Sequence, residues 1–200
     1  MRLVLIRHGQ TDWNKEYRVQ GQADLPLNES GRAQAEATAR FLQDEPLEVI
    51  YSSPLSRAYE TALAITRFRK IDIITESRLK ELDVGEADGL YYPNLKTKYP
   101  DFFRVWTTDP ALIRWPGGES LPELQVRVWG VVQHIISQRH SESVAIISHF
   151  FVLLALLCKV FGLSLSDFRK LNIGVASISV VEFVDGKARL VSLNETCHLE

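Results

Sequence analysis

A chain of 200 residues, 46% hydrophobic and 24% charged, has the size and composition of one globular domain with a substantial core. Its 23 basic and 25 acidic residues leave a net charge of -2, which argues against nucleic acid or an anionic membrane as partner and toward a small molecule. Cys158 falls in an apolar helical run and Cys197 in a polar tail; this is neither a disulfide framework nor metal-ligand spacing, and a reducing, cytoplasmic location is expected.

The first apolar run, residues 3–6, reads as a buried strand that ends at Arg7, His8 and Gly9. It is too short for a signal peptide. Asn28 caps an expected helix to about Gln43, with Ala35, Ala39 and Leu42 on one face. A second run at 49–51 leads to Ser53 as expected N-cap and Pro54 as first helical residue, with Arg57 in the first turn. A third run follows at 71–75 and a fourth at 144–147. All four are apolar enough to be covered by helices on both faces.

Between 88 and 118 the alternation of strand and helix lapses in a segment rich in aromatic residues, among them Tyr91, Tyr92, Trp106 and Trp115. It reads either as a helical insertion packed on the sheet or as a cap over a pocket mouth. Ser120 to Glu123 matches the Ser-x-x-Glu capping box of a helix ending near Gln138. Residues 150–158, stopped by Lys159, fall short of the ~20 apolar residues a membrane span needs and read as a core helix. Two last strands, 176–184 and 188–193, flank the turn pair Asp185-Gly186. The whole predicts an α/β three-layer sandwich in a single domain, 1–200. Its central sheet is mostly parallel, with helices on both faces and an antiparallel terminal strand. That strand, if it lies at a sheet edge, offers a surface for a homodimer.

Polar residues recur after successive runs: His8 after the first, Ser52, Ser53 and Arg57 after the second, Glu81 after the third, Ser148 and His149 after the fourth. In a parallel sheet these tips share one edge, where open α/β folds bind ligands. Two guanidiniums, imidazoles and helix N-termini favour a tetrahedral oxyanion, above all a phosphoryl group. The chain has neither a Gly-x-x-x-x-Gly-Lys loop nor a Gly-x-Gly-x-x-Gly fingerprint, and no His-Glu-x-x-His helix or evident magnesium motif. No cofactor and no metal are therefore expected. His134, on an amphipathic helix, and His140, in a polar turn, have no partner at ligand spacing, and His198 reads as packing over the sheet or near the pocket.

Arg7-His8-Gly9-Gln10-Thr11 resembles the signature of the histidine phosphatase superfamily, phosphoglycerate mutase-like branch. The resemblance runs through Trp13 and Asn14, Gln20 and Gly21, 27–31, 52–57, 81–89, 116–120, Ser148 and His149, and 194–199. It implies a phosphatase acting on small phosphorylated metabolites through a phosphohistidine on His8. Arg7, Arg57 and His149 would hold the phosphoryl oxygens, Glu81 would be the acid, with Asp83 as its nearest rival, and Asn14, Gln20 and Gly21 would line the pocket. Phe150 and Phe151 replace the small or polar pair usual after the second histidine, which makes that wall apolar and places Phe150 among the substrate-binding candidates. Phosphoserine, a sugar phosphate and α-ribazole phosphate are all substrates of similar short chains. A phosphoglycerate mutase-type transfer, a non-catalytic phosphate-binding module and a metal-dependent hydrolase built on His8, His149 and an acid are the competing readings.

Overall fold

The computed structural model describes residues 1–138 and 143–200; His140 lies outside them. In chain order the elements are β1 (Arg2–Arg7), α1 (Asp12–Lys15), α2 (Glu29–Phe41), β2 (Leu47–Ser52), α3 (Ser56–Thr66) and β3 (Asp72–Thr75). They continue with α4 (Leu95–Lys98), α5 (Pro100–Thr108), α6 (Leu121–Ser137), β4 (Ser143–Ser148), α7 (Phe150–Phe161), β5 (Ile178–Val184) and β6 (Lys187–Glu195).

The six strands form one sheet in the order β3-β2-β4-β1-β5-β6. β3, β2, β4 and β1 are mutually parallel, and β5 pairs antiparallel with both β1 and β6. The pleat splits each central strand between two cores. Leu3, Leu5, Val144 and Ile146 point to a face covered by α6, α7 and the aromatic insertion. Val4, Ile6, Ala145 and Ile147 point to the face of α2 and α3, whose Ala35, Ala39, Ala58 and Ala62 let the helices sit close. Asp185 and Gly186 both have positive φ, as the expected tight hairpin requires.

Two expectations change. β3 is an edge strand with Asp72, Ile74 and Thr75 exposed rather than a strand buried on both faces. α3 starts at Ser56, not Pro54, because the Ser53 hydroxyl is held against His149 Nε2 at 2.7 Å and takes only the Leu55 N–H, at 3.3 Å, from the backbone that follows. The Asn28 cap and the capping box at Ser120 form as the sequence indicates.

The loop after β1 lies against the N-terminus of α2 with no room for side chains between them. A Cβ on Gly9 would fall 2.4 Å from the Gly31 carbonyl oxygen, and one on Gly31 2.0 Å from that of Gln10. Gly31→Ala therefore forces backbone apart at the site edge and is expected to cost about 3 kcal/mol by urea unfolding, at the top of the usual range for overpacking. A loss below about 0.5 kcal/mol would contradict this close approach.

Candidate active site

The C-terminal tips of the parallel strands deliver the chemistry. Arg7 is the last residue of β1, and the His8 N–H donates to Ser148 O at the tip of β4 at 3.0 Å. At the end of β2 the Ser53 N–H donates to Ile147 O, also at 3.0 Å, and Arg57 follows in the first turn of α3. His149 is the N-cap residue of α7, and Glu81 arrives on the connection after β3. A cavity of about 180 Å³ opens there, with Arg7, His8, Asn14, Gln20, Arg57 and Glu81 on its polar side. Tyr92, Trp106, Trp115, Phe150 and Phe151 form an aromatic wall.

His8 Nδ1 lies 2.7 Å from the carbonyl oxygen of Gly9, the only acceptor it meets among the described residues. This holds the proton on Nδ1 and leaves the Nε2 lone pair without a hydrogen bond to any described residue. Burial, then the charges of Arg57 and Arg7, push the pKa of His8 well below 6.5. The ring of His149 lies 5.1 Å from that of His8, centroid to centroid. Its Nδ1 accepts from Arg57 Nε at 3.3 Å and its Nε2 meets Ser53 Oγ at 2.7 Å, so His149 is held as the opposite tautomer. Burial and Arg57 depress its pKa as well.

Arg57 is fully buried. Beyond His149 it donates from Nη1 to Ala23 O at 2.8 Å and from Nη2 to Gly21 O at 2.7 Å. That loop is in turn held by Asp88, whose carboxylate accepts from the N–H groups of Gly21 and Ala23 at 2.9 and 2.8 Å. Arg7 donates from Nη1 to Ile173 O at 2.7 Å and sits over the Phe150 ring, 5.0 Å from its centroid. Burial lowers the pKa of each guanidinium to about 10, so both remain charged at neutral pH.

Glu81 is 4% exposed. Its two oxygens accept from Leu82 N at 2.7 Å and Phe151 N at 3.3 Å. Burial nevertheless raises its pKa, against the pull of those bonds and of Arg57 and Arg7. The backbone around it is pinned. Arg127 Nη2 donates to Glu81 O at 2.9 Å, and Glu119, ion-paired to Arg127, accepts from Asp83 N at 2.9 Å. Asp83 itself turns away to accept from Gly85 N at 2.9 Å.

Most of the sequence-derived set therefore converges. Gly21 does not line the cavity; it stands behind the wall and holds Arg57, and a Cβ there would meet Val84 at 2.5 Å. His149 holds Arg57 and presents no free ring nitrogen in this state. His198 packs over the sheet on Thr38 and Ala176, away from the cavity. The supporting roles of Asp88, Glu119 and Arg127 escaped sequence reasoning. The site segments they hold lie 36 to 67 residues away along the chain, and no local spacing signals those contacts. Among the described residues no cluster of His, Cys, Asp and Glu could hold a metal ion, and no helix is long and apolar enough to cross a membrane.

The model of the histidine phosphatase superfamily, branch 1, matches residues 3–196. The chain belongs to this superfamily. It is 37% identical over 199 residues to phosphoserine phosphatase 1 of Hydrogenobacter thermophilus, covering 100% of this chain and 94% of the relative. Among solved structures, Bacillus stearothermophilus YhfR superposes with a TM-score of 0.94 at 30% identity, covering 100% of this chain and 99% of that one. A mycobacterial glucosyl-3-phosphoglycerate phosphatase in complex with VO3 superposes with a TM-score of 0.90 at 30% identity, over 98% and 99% of the two chains.

The two histidines are thus expected to carry their protons on opposite nitrogens. In ¹⁵N-resolved imidazole spectra of this histidine phosphatase, His8 should appear protonated at Nδ1 and His149 at Nε2, with neither ring charging as pH falls through 6.5. Either ring titrating at an ordinary pKa would contradict the buried arrangement.

Proposed function

We propose that the protein is a metal-independent phosphatase that hydrolyses small phosphomonoesters through a phosphohistidine on His8. The observation that carries this reading is the free Nε2 of a neutral, tautomer-fixed His8 in a cavity it shares with two buried guanidiniums. The His8 Nε2 lone pair attacks phosphorus, the ester P–O bond breaks, and its electron pair leaves with the alcohol oxygen. The Glu81 carboxyl, whose hold on a proton is strengthened by burial, supplies the proton that the alcohol takes away. The Glu81 carboxylate then removes a proton from water as the water oxygen bonds to phosphorus. The N–P bond breaks and its pair returns to Nε2, releasing inorganic phosphate and restoring both groups.

Arg7 and Arg57 neutralise the charge on the non-bridging oxygens. Their remaining donors are pre-aimed, because Ile173, Gly21 and Ala23 fix the guanidinium planes. His149 and Ser53 contribute by locking Arg57, and Asn14 and Gln20 by shaping the polar rim. Residues 88–118 act as a cap whose Tyr92, Trp106 and Trp115 screen the reaction from bulk water. The substrate is a soluble metabolite, reached without membrane or nucleic acid, and the setting is the cytoplasm. A homodimer would pair through the exposed edge strand β6.

His8→Ala should lower hydrolysis of p-nitrophenyl phosphate by at least about a thousandfold and abolish acid-labile ³²P on quenched enzyme, while a chelator leaves wild-type turnover intact. Hydrolysis in His8→Ala at the wild-type rate would contradict the assignment, and loss with chelator would favour the metal-dependent reading. The acid limb of kcat/KM, set by His8 charging, should fall below pH 6.5. The alkaline limb, set by Glu81 losing its proton, should lie above the ordinary carboxyl range and vanish in Glu81→Gln.

A further inference from the structure

On the side of β1 away from β4, the backbone that carries Arg7 and His8 rests on the loop 173–177, which leads into β5. Ser177 O accepts from Arg7 N at 3.1 Å, Ala176 N donates to His8 O at 3.0 Å, and Ile173 O accepts from Arg7 Nη1 at 2.7 Å. This loop sets both the height of the signature backbone and the plane of one guanidinium. It has little with which to hold itself. Its side chains are those of Ile173, Val175, Ala176 and Ser177; only Ser177 is polar, and Ser177 Oγ has no partner among the described residues. Ala176 is held at a φ of +54°, a left-handed conformation that is unfavourable for a residue with a side chain and persists only where the surroundings impose it.

Segment 194–199 imposes it. Asn194 Oδ1 accepts from Gly174 N at 2.6 Å, while Asn194 N donates to Ser179 Oγ at 3.0 Å. His198 Nε2 lies 3.1 Å from Ala176 O and 3.2 Å from Thr38 Oγ1 on α2. The Thr38 hydroxyl gives its own proton to Gln34 O at 3.0 Å, so Nε2 carries a proton and donates to both oxygens. His198 Nδ1 is buried without a partner among the described residues, burial lowers the pKa of the ring, and Phe41 packs against it with centroids 5.1 Å apart. A neutral imidazole with one working N–H is thus wedged between α2 and the loop. The same stretch of α2 holds the signature loop through Gln34 Oε1, which accepts from Gln10 N at 2.9 Å.

We propose, resting on the phosphatase reading above, that segment 194–199 is a strap that positions the loop 173–177 and, through it, Arg7 and His8, with His198 and Asn194 as its two fastenings. Both are positioning residues, and neither lines the cavity. Without them Ala176 relaxes toward the ordinary backbone regions, Ile173 O and Ser177 O move with it, and Arg7 loses its aim. A misplacement of about 1 Å at a reacting group costs up to about a hundredfold in rate.

Three variants test this. His198→Leu keeps apolar bulk against Phe41 and removes the N–H, whereas His198→Gln returns a donor at the reach of Nε2. Asn194→Gly keeps the left-handed backbone, since Asn194 has a φ of +55°, and removes only the side-chain acceptor. At a temperature where circular dichroism shows each variant folded, His198→Leu should lower kcat/KM for p-nitrophenyl phosphate about tenfold and weaken orthovanadate binding about fivefold. Asn194→Gly should lose at least about threefold in both, and His198→Gln should stay within about twofold of wild type. The ¹⁵N resonances of the His8 imidazole should move in His198→Leu and Asn194→Gly and return in His198→Gln. Unchanged constants and resonances in folded His198→Leu and Asn194→Gly, with only a lower urea midpoint, would overturn the proposal and leave the segment as packing. His198→Gln as impaired as His198→Leu would overturn the role of the N–H. If His198→Leu does not fold, Asn194→Gly decides by the same readouts. The phosphatase reading is judged separately, by whether wild-type turnover depends on His8; if it does not, that reading falls and the His8 resonances still decide the strap.

Discussion

Two guanidiniums buried next to two imidazoles are the constraint on which the rest of the structure depends. Arg57 has no exposed surface, and its charge is accommodated because the carbonyls of Gly21 and Ala23 and the Nδ1 of His149 replace its water, with the carboxylates of Glu81, Asp88 and Asp24 nearby. Each partner has its own support: Asp88 secures the loop, and Ser53 fixes the histidine tautomer. Burial first, and then the same charge, lower the pKa of His8 and His149. A cationic pocket holding an uncharged imidazole suits attack on a phosphoryl group, because the arginines that attract the dianion add to burial in disfavouring a proton on the imidazole lone pair.

The fold makes this crowding affordable by fixing backbone first. Three neighbouring strands end at one edge, and hydrogen bonds from His8 N and Ser53 N into the tip of β4 set the spacing of the loops that leave them. Gly9 and Gly31 then let the signature loop rest on α2 without intervening side chains. On the opposite side the Glu119–Arg127 pair clamps the connection bearing Glu81 to the start of α6 and the loop before it. The carboxyl group itself is held by the backbone N–H groups of Leu82 and Phe151 and not by an ion pair.

Much of this was legible in the sequence, for identifiable reasons. Residues 3–6 and 144–147 are short apolar runs between polar ends, so the strands and their tips announce themselves, and Ser120 to Glu123 states its own cap. The run at 71–75 misled because apolar composition does not tell an edge strand from a central one; only the sheet order does. Ser53 resembled a helix cap, yet its hydroxyl meets a histidine 96 residues later. Gly21 shared the family pattern, but the pattern does not say which side of a loop faces a cavity. Long-range side-chain contacts leave no periodicity behind.

The central claim is that His8 Nε2 is the atom that bonds to phosphorus, with Arg7 and Arg57 around its oxygens. A crystal structure of this protein soaked with orthovanadate tests it directly. The account predicts vanadium bonded apically to His8 Nε2, with equatorial oxygens within hydrogen-bond distance of both guanidiniums and Glu81 near the opposite apical oxygen. Vanadate bound elsewhere, or in the cavity with His8 unbonded and its ring turned away, would contradict it.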